Sequence, residues 1–197
     1  MSDAVRRAGR ATLADGIEVV WSVADGRRGR RWRALTRHAG SVGSSLLLEV
    51  APDGRPARLE LATATGLLTL HQEPAGRLHG NAVTDEGVRH LTLAWGDDHE
   101  LEVEPLAISG AVTARRLGGL VAVGEGTVVP VVAIDGAFAI HEATRRYDRL
   151  DAATWRIVGD GVTRTVTVNA GGLPVWPAQE GEPSGAGEWP LELDPQD

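Results

Sequence analysis

The sequence predicts an all-β protein, mainly antiparallel, and three observations carry that prediction. Short segments in which apolar residues recur at every second position run through most of the chain. Compact turn signals separate them, "PDGRP", "WGDD" and "GDG" among them, in which proline presets one dihedral and glycine accepts positive φ. Helical periodicity, by contrast, is confined to two places. Many short strands joined by tight turns belong to antiparallel architectures.

In chain order the strand-like segments are "IEVVW" (17–21), "SLLLEV" (45–50), "ARLELAT" (57–63), "LLTLHQ" (67–72), "VRHLTLAW" (88–95), "HELEV" (99–103), "TVVPVVAID" (127–135) and "GVTRTVTVN" (161–169). Of the two helical candidates, "SGAVTARRL" has Ser109 as a candidate cap. Gly110 and the β-branched Val112 and Thr113 make it a poor helix, and it reads as a loop following a half-buried strand. In "AFAIHEATRRYDRLDAATW" (137–155) the alternation of Phe138 and Ile140 favours a strand for the first half. The last twenty residues carry six acids and no base among prolines and glycines. Such a segment buries too little to offset its ordering entropy, which divides the chain into a folded domain, 1–177, and a flexible acidic tail, 178–197.

Composition removes several function classes. A net charge of -7 disfavours nucleic acid as a partner, because phosphate neutralisation needs a surplus of cations on one face. Cysteine is absent, which removes disulfides, thiolate metal sites and cysteine nucleophiles and favours a reducing, cytoplasmic setting. All 20 cations are arginine, so neither a Schiff-base lysine nor a P-loop lysine exists. No apolar stretch approaches membrane-spanning length. The sequence implies no cofactor, and a homodimer is among the assemblies it allows.

The motifs that could carry chemistry each have a plainer reading. Glu100, Glu102 and Glu104 share one strand face about 7 Å apart, a spacing compatible with acid/base work or calcium, yet alternation with Leu101 and Val103 reads more simply as the wet face of a half-buried strand. Six histidines (His38, His71, His79, His90, His99, His141) show no metal-ligand spacing on a single element, so zinc would have to gather them from separate strands, and no metal site is assigned. The basic run "DGRRGRRWRALTRH" around Trp32 reads as a solvated turn. No nucleophile elbow or dinucleotide fingerprint is present, and no catalytic residue is assigned. Arg164 shares the parity of Val162, Val166 and Val168; it needs either an internal acid or a place as an anion anchor in a cavity, and the same two options hold for Arg115 and Arg116. Trp95 and Trp155 stand at strand ends, where amphipathic rings suit a sheet corner or the mouth of a cavity.

Four pieces then line up in order: "VVW", "HELEVEPLAISGAVTARRL", "RRYDRLDAATWRI" and "NAGGLPVWP". Together they resemble a glycolipid-binding family of bacterial proteins across most of Val19 to Pro177. Arg115, Arg116 and Leu117 stand at the family's arginine pair and leucine, Tyr147 and Leu150 at its later strand, and Gly172, Leu173, Trp176 and Pro177 at its closing motif. Gly110 and Thr113 replace the family's asparagine and proline, and Trp176 its late tyrosine.

The resemblance implies a spiral β-roll, a strongly curved single sheet wrapping on itself with at most one or two short helices. It also implies non-enzymatic binding of an amphipathic ligand, such as a glycolipid, in or at the mouth of the roll. Candidate binding residues are Trp95, Arg115, Arg116, Tyr147, Trp155 and Arg164. Two other readings stay open. One is a hydrolase or isomerase pairing Glu100 or Glu102 with His99 or His141, and the other is a structural, partner-binding β-protein with a filled interior.

Overall fold

The computed structural model describes residues 6–13, 16–74, 76–104 and 107–175. The first eight strands form an antiparallel meander in which every strand pairs with its neighbours in sequence: β1 (Arg6–Thr12), β2 (Glu18–Gly26), β3 (Gly29–His38), β4 (Ser41–Val50), β5 (Pro56–Thr63), β6 (Gly66–Glu73), β7 (Arg77–Thr84) and β8 (Gly87–Ala94). A second sheet contains β9 (Glu100–Val103), β10 (Gly126–Ile134), β11 (Ile140–Arg149), β12 (Thr154–Gly159), β13 (Val162–Val168) and β14 (Pro174–Val175), in the order β14-β13-β12-β11-β10-β9. The fold is therefore all-β, strongly curved and mainly antiparallel, with one helix among the described residues, α1 (Ala107–Leu117). Its strands are shared between two sheets, because β9 leaves the meander and pairs parallel to β10 across the α1 crossover.

The meander follows directly from its letters. Leu46, Leu48 and Val50 of β4, Leu59 and Leu61 of β5, and Leu68 and Leu70 of β6 all point to one buried face. The residues between them face outward. Register shifts at Thr36/Arg37 and at Glu49/Val50 add local twist and bend the sheet. The "GDG" signal becomes the β12–β13 hairpin, with Asp160 and Gly161 at φ 51° and 73°, as a tight primed turn requires. The strand expected in the first half of 137–155 is β11.

Two apolar clusters hold the layers together. One lies on the concave face of the meander and joins Trp21, Trp32, Trp95, Phe138 and the leucines to Ile108 and Val112 of α1 and to Val132 and Ile134 of β10. The other packs Ala111, Ala114 and Leu117 of α1 against Tyr147, Trp155, Ile157, Val166 and Val168 of the curled second sheet. Polar ties also bridge the sheets: Arg89 of β8 donates to the Phe138 carbonyl (2.7 Å), and Thr63 to that of Gly136 (2.8 Å).

Two expectations are corrected here. The segment after β9 is a helix, not a loop, because burial on both sides outweighs weak propensity. Gly110 faces the second cluster, where a Cβ would meet Ile157 at an ordinary contact distance of 3.4 Å. Ser109 lies inside the helix, not at its cap, and its hydroxyl accepts from the Val103 amide (3.1 Å). The second correction concerns β9, whose four residues are all buried. Glu100 and Glu102 are not a wet face, because β9 is covered by α1 as well as by the meander's cluster, whereas Glu104 is exposed. The acidic tail, Trp176 and Pro177 lie outside the described residues.

Candidate functional site

The last turn of α1 brings two arginines, Arg115 and Arg116, against the meander, where their charge also suits the negative end of the helix dipole. They meet Arg30 of β3 in an open cleft of about 440 Å³. Trp32, Val50 and Val112 give the cleft an apolar lining, while Asp25, Asp53 and the three guanidiniums supply polar groups.

The three arginines are held differently. Arg30 is buried; its Nε and Nη2 donate to the two carboxylate oxygens of Asp25 (2.6 and 2.8 Å), and its Nη1 donates to the Gly171 carbonyl (2.9 Å). Its guanidinium also lies 5.7 Å from the Trp32 ring centroid. Arg116 donates through Nε to the buried carboxylate of Glu100. Arg115 makes no hydrogen bond or ion pair among the described residues. Burial lowers its pKa first, repulsion from Arg30 adds to that, and Asp25 opposes it. The Arg115 side chain rests against Gly172, which stands at φ 69° and where a Cβ would fall 2.4 Å from Arg115 Cδ. Glycine favours this left-handed backbone, and any side chain there would push Arg115 aside. The Nε1 of Trp32 is buried and has no hydrogen-bond partner among the described residues.

Behind the cleft runs a chain of ion pairs. Glu100 also accepts from the Thr113 hydroxyl (3.0 Å), and burial raises its pKa in spite of Arg116. Glu102 receives Arg145 Nε (2.6 Å) and Arg164 Nη2; burial alone would raise its pKa, but the two arginines together hold it below the usual carboxylate range. Arg145 reaches on to Asp160 (2.7 Å), and Arg164 to Glu104 (3.3 Å). Of the two roles open to Arg164, pairing with internal acids is the one the geometry shows.

The six candidate binding residues do not converge. Arg115 and Arg116 share the cleft. Tyr147 and Trp155 meet edge to face (6.5 Å) inside the second cluster, where burial raises the Tyr147 pKa and Arg149 lies over the Trp155 ring (5.6 Å). Trp95 is buried in the first cluster beside His99 (5.8 Å), and Arg164 sits on Glu102. Among the described residues neither His99 nor His141 hydrogen-bonds to Glu100 or Glu102. The Gly96 amide donates to His99 Nδ1 (3.0 Å), and His141 faces Asp160 (3.9 Å). Arg30 and Asp25 are additions to the sequence reading. Arg30 shares the buried parity of Trp32, Ala34 and Thr36, so the argument made for Arg164 would have found it within the basic run.

Comparison of the chain with protein-family models, with curated proteins and with solved structures gives no match. The cleft is therefore read from its own chemistry. Three clustered guanidiniums, one of them without a partner among the described residues, favour an anionic or strongly hydrogen-bonding group, and the lining beside them favours an apolar one.

Proposed function

We propose that the protein binds an amphipathic molecule, a glycolipid in the reading its sequence resemblance suggests, without chemical turnover. The polar head lies among Arg30, Arg115 and Arg116, and the apolar part begins on Val50, Val112 and Trp32. The supporting observation is Arg115, a guanidinium with no protein partner among the described residues, directed into a cleft that already holds two others. An amphipathic ligand places its tail along the cleft and not in the roll, because Trp21, Trp32, Trp95 and the meander leucines occupy the concave face.

Native mass spectrometry of freshly purified protein, followed by thermal unfolding with anionic and neutral glycolipids, tests this reading. The expected result is a retained ligand or a rise in Tm that Arg115→Ala removes while the unliganded Tm stays unchanged. A ligand-free spectrum with no shift from any glycolipid overturns it.

A second reading, a partner-binding β-protein that could also form a homodimer, has its own support. Leu67, Val83 and Val88 stand exposed in adjacent strands in one cross-strand row. Light scattering across concentration tests self-association, and a monomer throughout removes the homodimer.

A further inference from the structure

Histidines scattered through a sequence become neighbours when a hairpin folds its register. In the β6–β7 hairpin, His71 and His79 are directly opposed, and Glu73 follows His71 on the same outward face. The two imidazoles meet edge to face with centroids 5.4 Å apart, and Glu73 already leans to 3.9 Å from His79 Nδ1. One donor atom from each of the three side chains lies within 4.8 Å of the others.

We infer that His71, Glu73 and His79 form a binding site for a divalent transition-metal ion of the zinc class on the outer face of the meander. Bonds of about 2.0–2.1 Å to a tetrahedral ion would bring the donors to about 3.4 Å from one another, a contraction that side-chain rotation supplies at this partly exposed surface. Two imidazole nitrogens and one carboxylate oxygen select zinc, nickel or copper over magnesium and calcium, which prefer all-oxygen shells. Three protein ligands leave a coordination position open to solvent or to a donor on another molecule.

The surroundings leave these groups available. Among the described residues neither ring makes a hydrogen bond, whereas His90 is engaged by Asn81 (2.7 Å) and His99 by the Gly96 amide. Arg77 stands across from Glu73 but forms no ion pair with it among the described residues. Arg58, across from His71, gives its charge to Glu60. On the β8 side His79 faces Thr92, which carries no charge.

The test is calorimetric titration of the full, chelator-treated chain with zinc chloride. One equivalent is expected to bind. His71→Gln, His79→Gln and Glu73→Gln should each weaken binding at least as much as the roughly 10–100-fold that loss of an outer-shell partner costs, and His90→Gln should not. Ring resonances of His71 and His79 should shift with zinc in the unmutated protein, a readout that does not depend on any variant folding. The inference is overturned if no zinc binds, if the His71→Gln/His79→Gln pair binds as the unmutated protein does, or if the shifted rings belong to other histidines. Glycolipid binding at the arginine cleft plays no part in these outcomes.

Discussion

Strands β5 and β9 carry the same kind of lettering and have opposite fates. In β5, Leu59 and Leu61 face the core while Arg58 and Glu60 pair across the outer surface. In β9, Leu101 and Val103 also face the core, yet Glu100 and Glu102 between them are buried as well. Alternation reports two different faces, but whether the second face meets water depends on what the topology lays over it. An outer ion pair in the meander is solvated and worth little. The pair between Glu102 and Arg145, with Arg145 side chain at 2% exposure, is not free to lose one member.

The largest expected effect follows from that contrast. Glu102→Ala takes from Arg145 its buried partner and leaves it only the exposed Asp160, and should cost about 1–3 kcal/mol in denaturant unfolding, while Glu60→Ala should cost under about 1 kcal/mol. Equal costs would mean that β9 is no more enclosed than β5. Next comes Gly172→Ala, which forces a side chain into the left-handed region and displaces Arg115. Roughly 1–2 kcal/mol of stability should go, together with any glycolipid-induced Tm rise.

Acid dependence separates the two buried glutamates by sign. The Glu102 pKa is lowered on folding, so its contribution is present above the ordinary glutamate value and is lost as pH falls through the lowered one. The Glu100 pKa is raised, so the folded chain keeps its proton longer, and this group subtracts stability as pH climbs from the ordinary value through the raised one. Glu100→Gln should flatten the stability profile above the ordinary glutamate pKa, and Glu102→Gln below it, as read from Tm against pH. The smallest effect is reserved for the outer face: Arg31→Ala, which removes the pair with Glu49 (2.6 Å), should change stability by no more than about 0.5 kcal/mol.

Five of the meander's eight strands were legible, because each needs only its own alternation and the turn that follows. Strands β1, β3 and β7 were not, and most of the basic run expected to be a solvated turn is β3, with Arg30, Trp32 and Ala34 buried. Asp160 and Gly161 announce their hairpin by chemistry alone. The α1 helix was hidden: Gly110, Val112 and Thr113 argue against a helix locally, and only the two clusters that enclose them decide otherwise. The arginine pair of the cleft was visible, but Arg30 was masked by the surrounding basic run. The opposition of His71 and His79 depends on hairpin register, which the residues at the turn set and the spacing of the histidines does not reveal.

The crossover that joins β9 to β10 bears on the order of assembly. Every pairing in the meander is between consecutive strands, whereas Glu100 must wait for Val131. During synthesis the first sheet therefore emerges complete while the helix that covers it is still unmade. A fragment ending after β8 would present the leucines of β4 to β6 to water and stick to its neighbours, so α1 and β10 act toward the meander as a built-in chaperone.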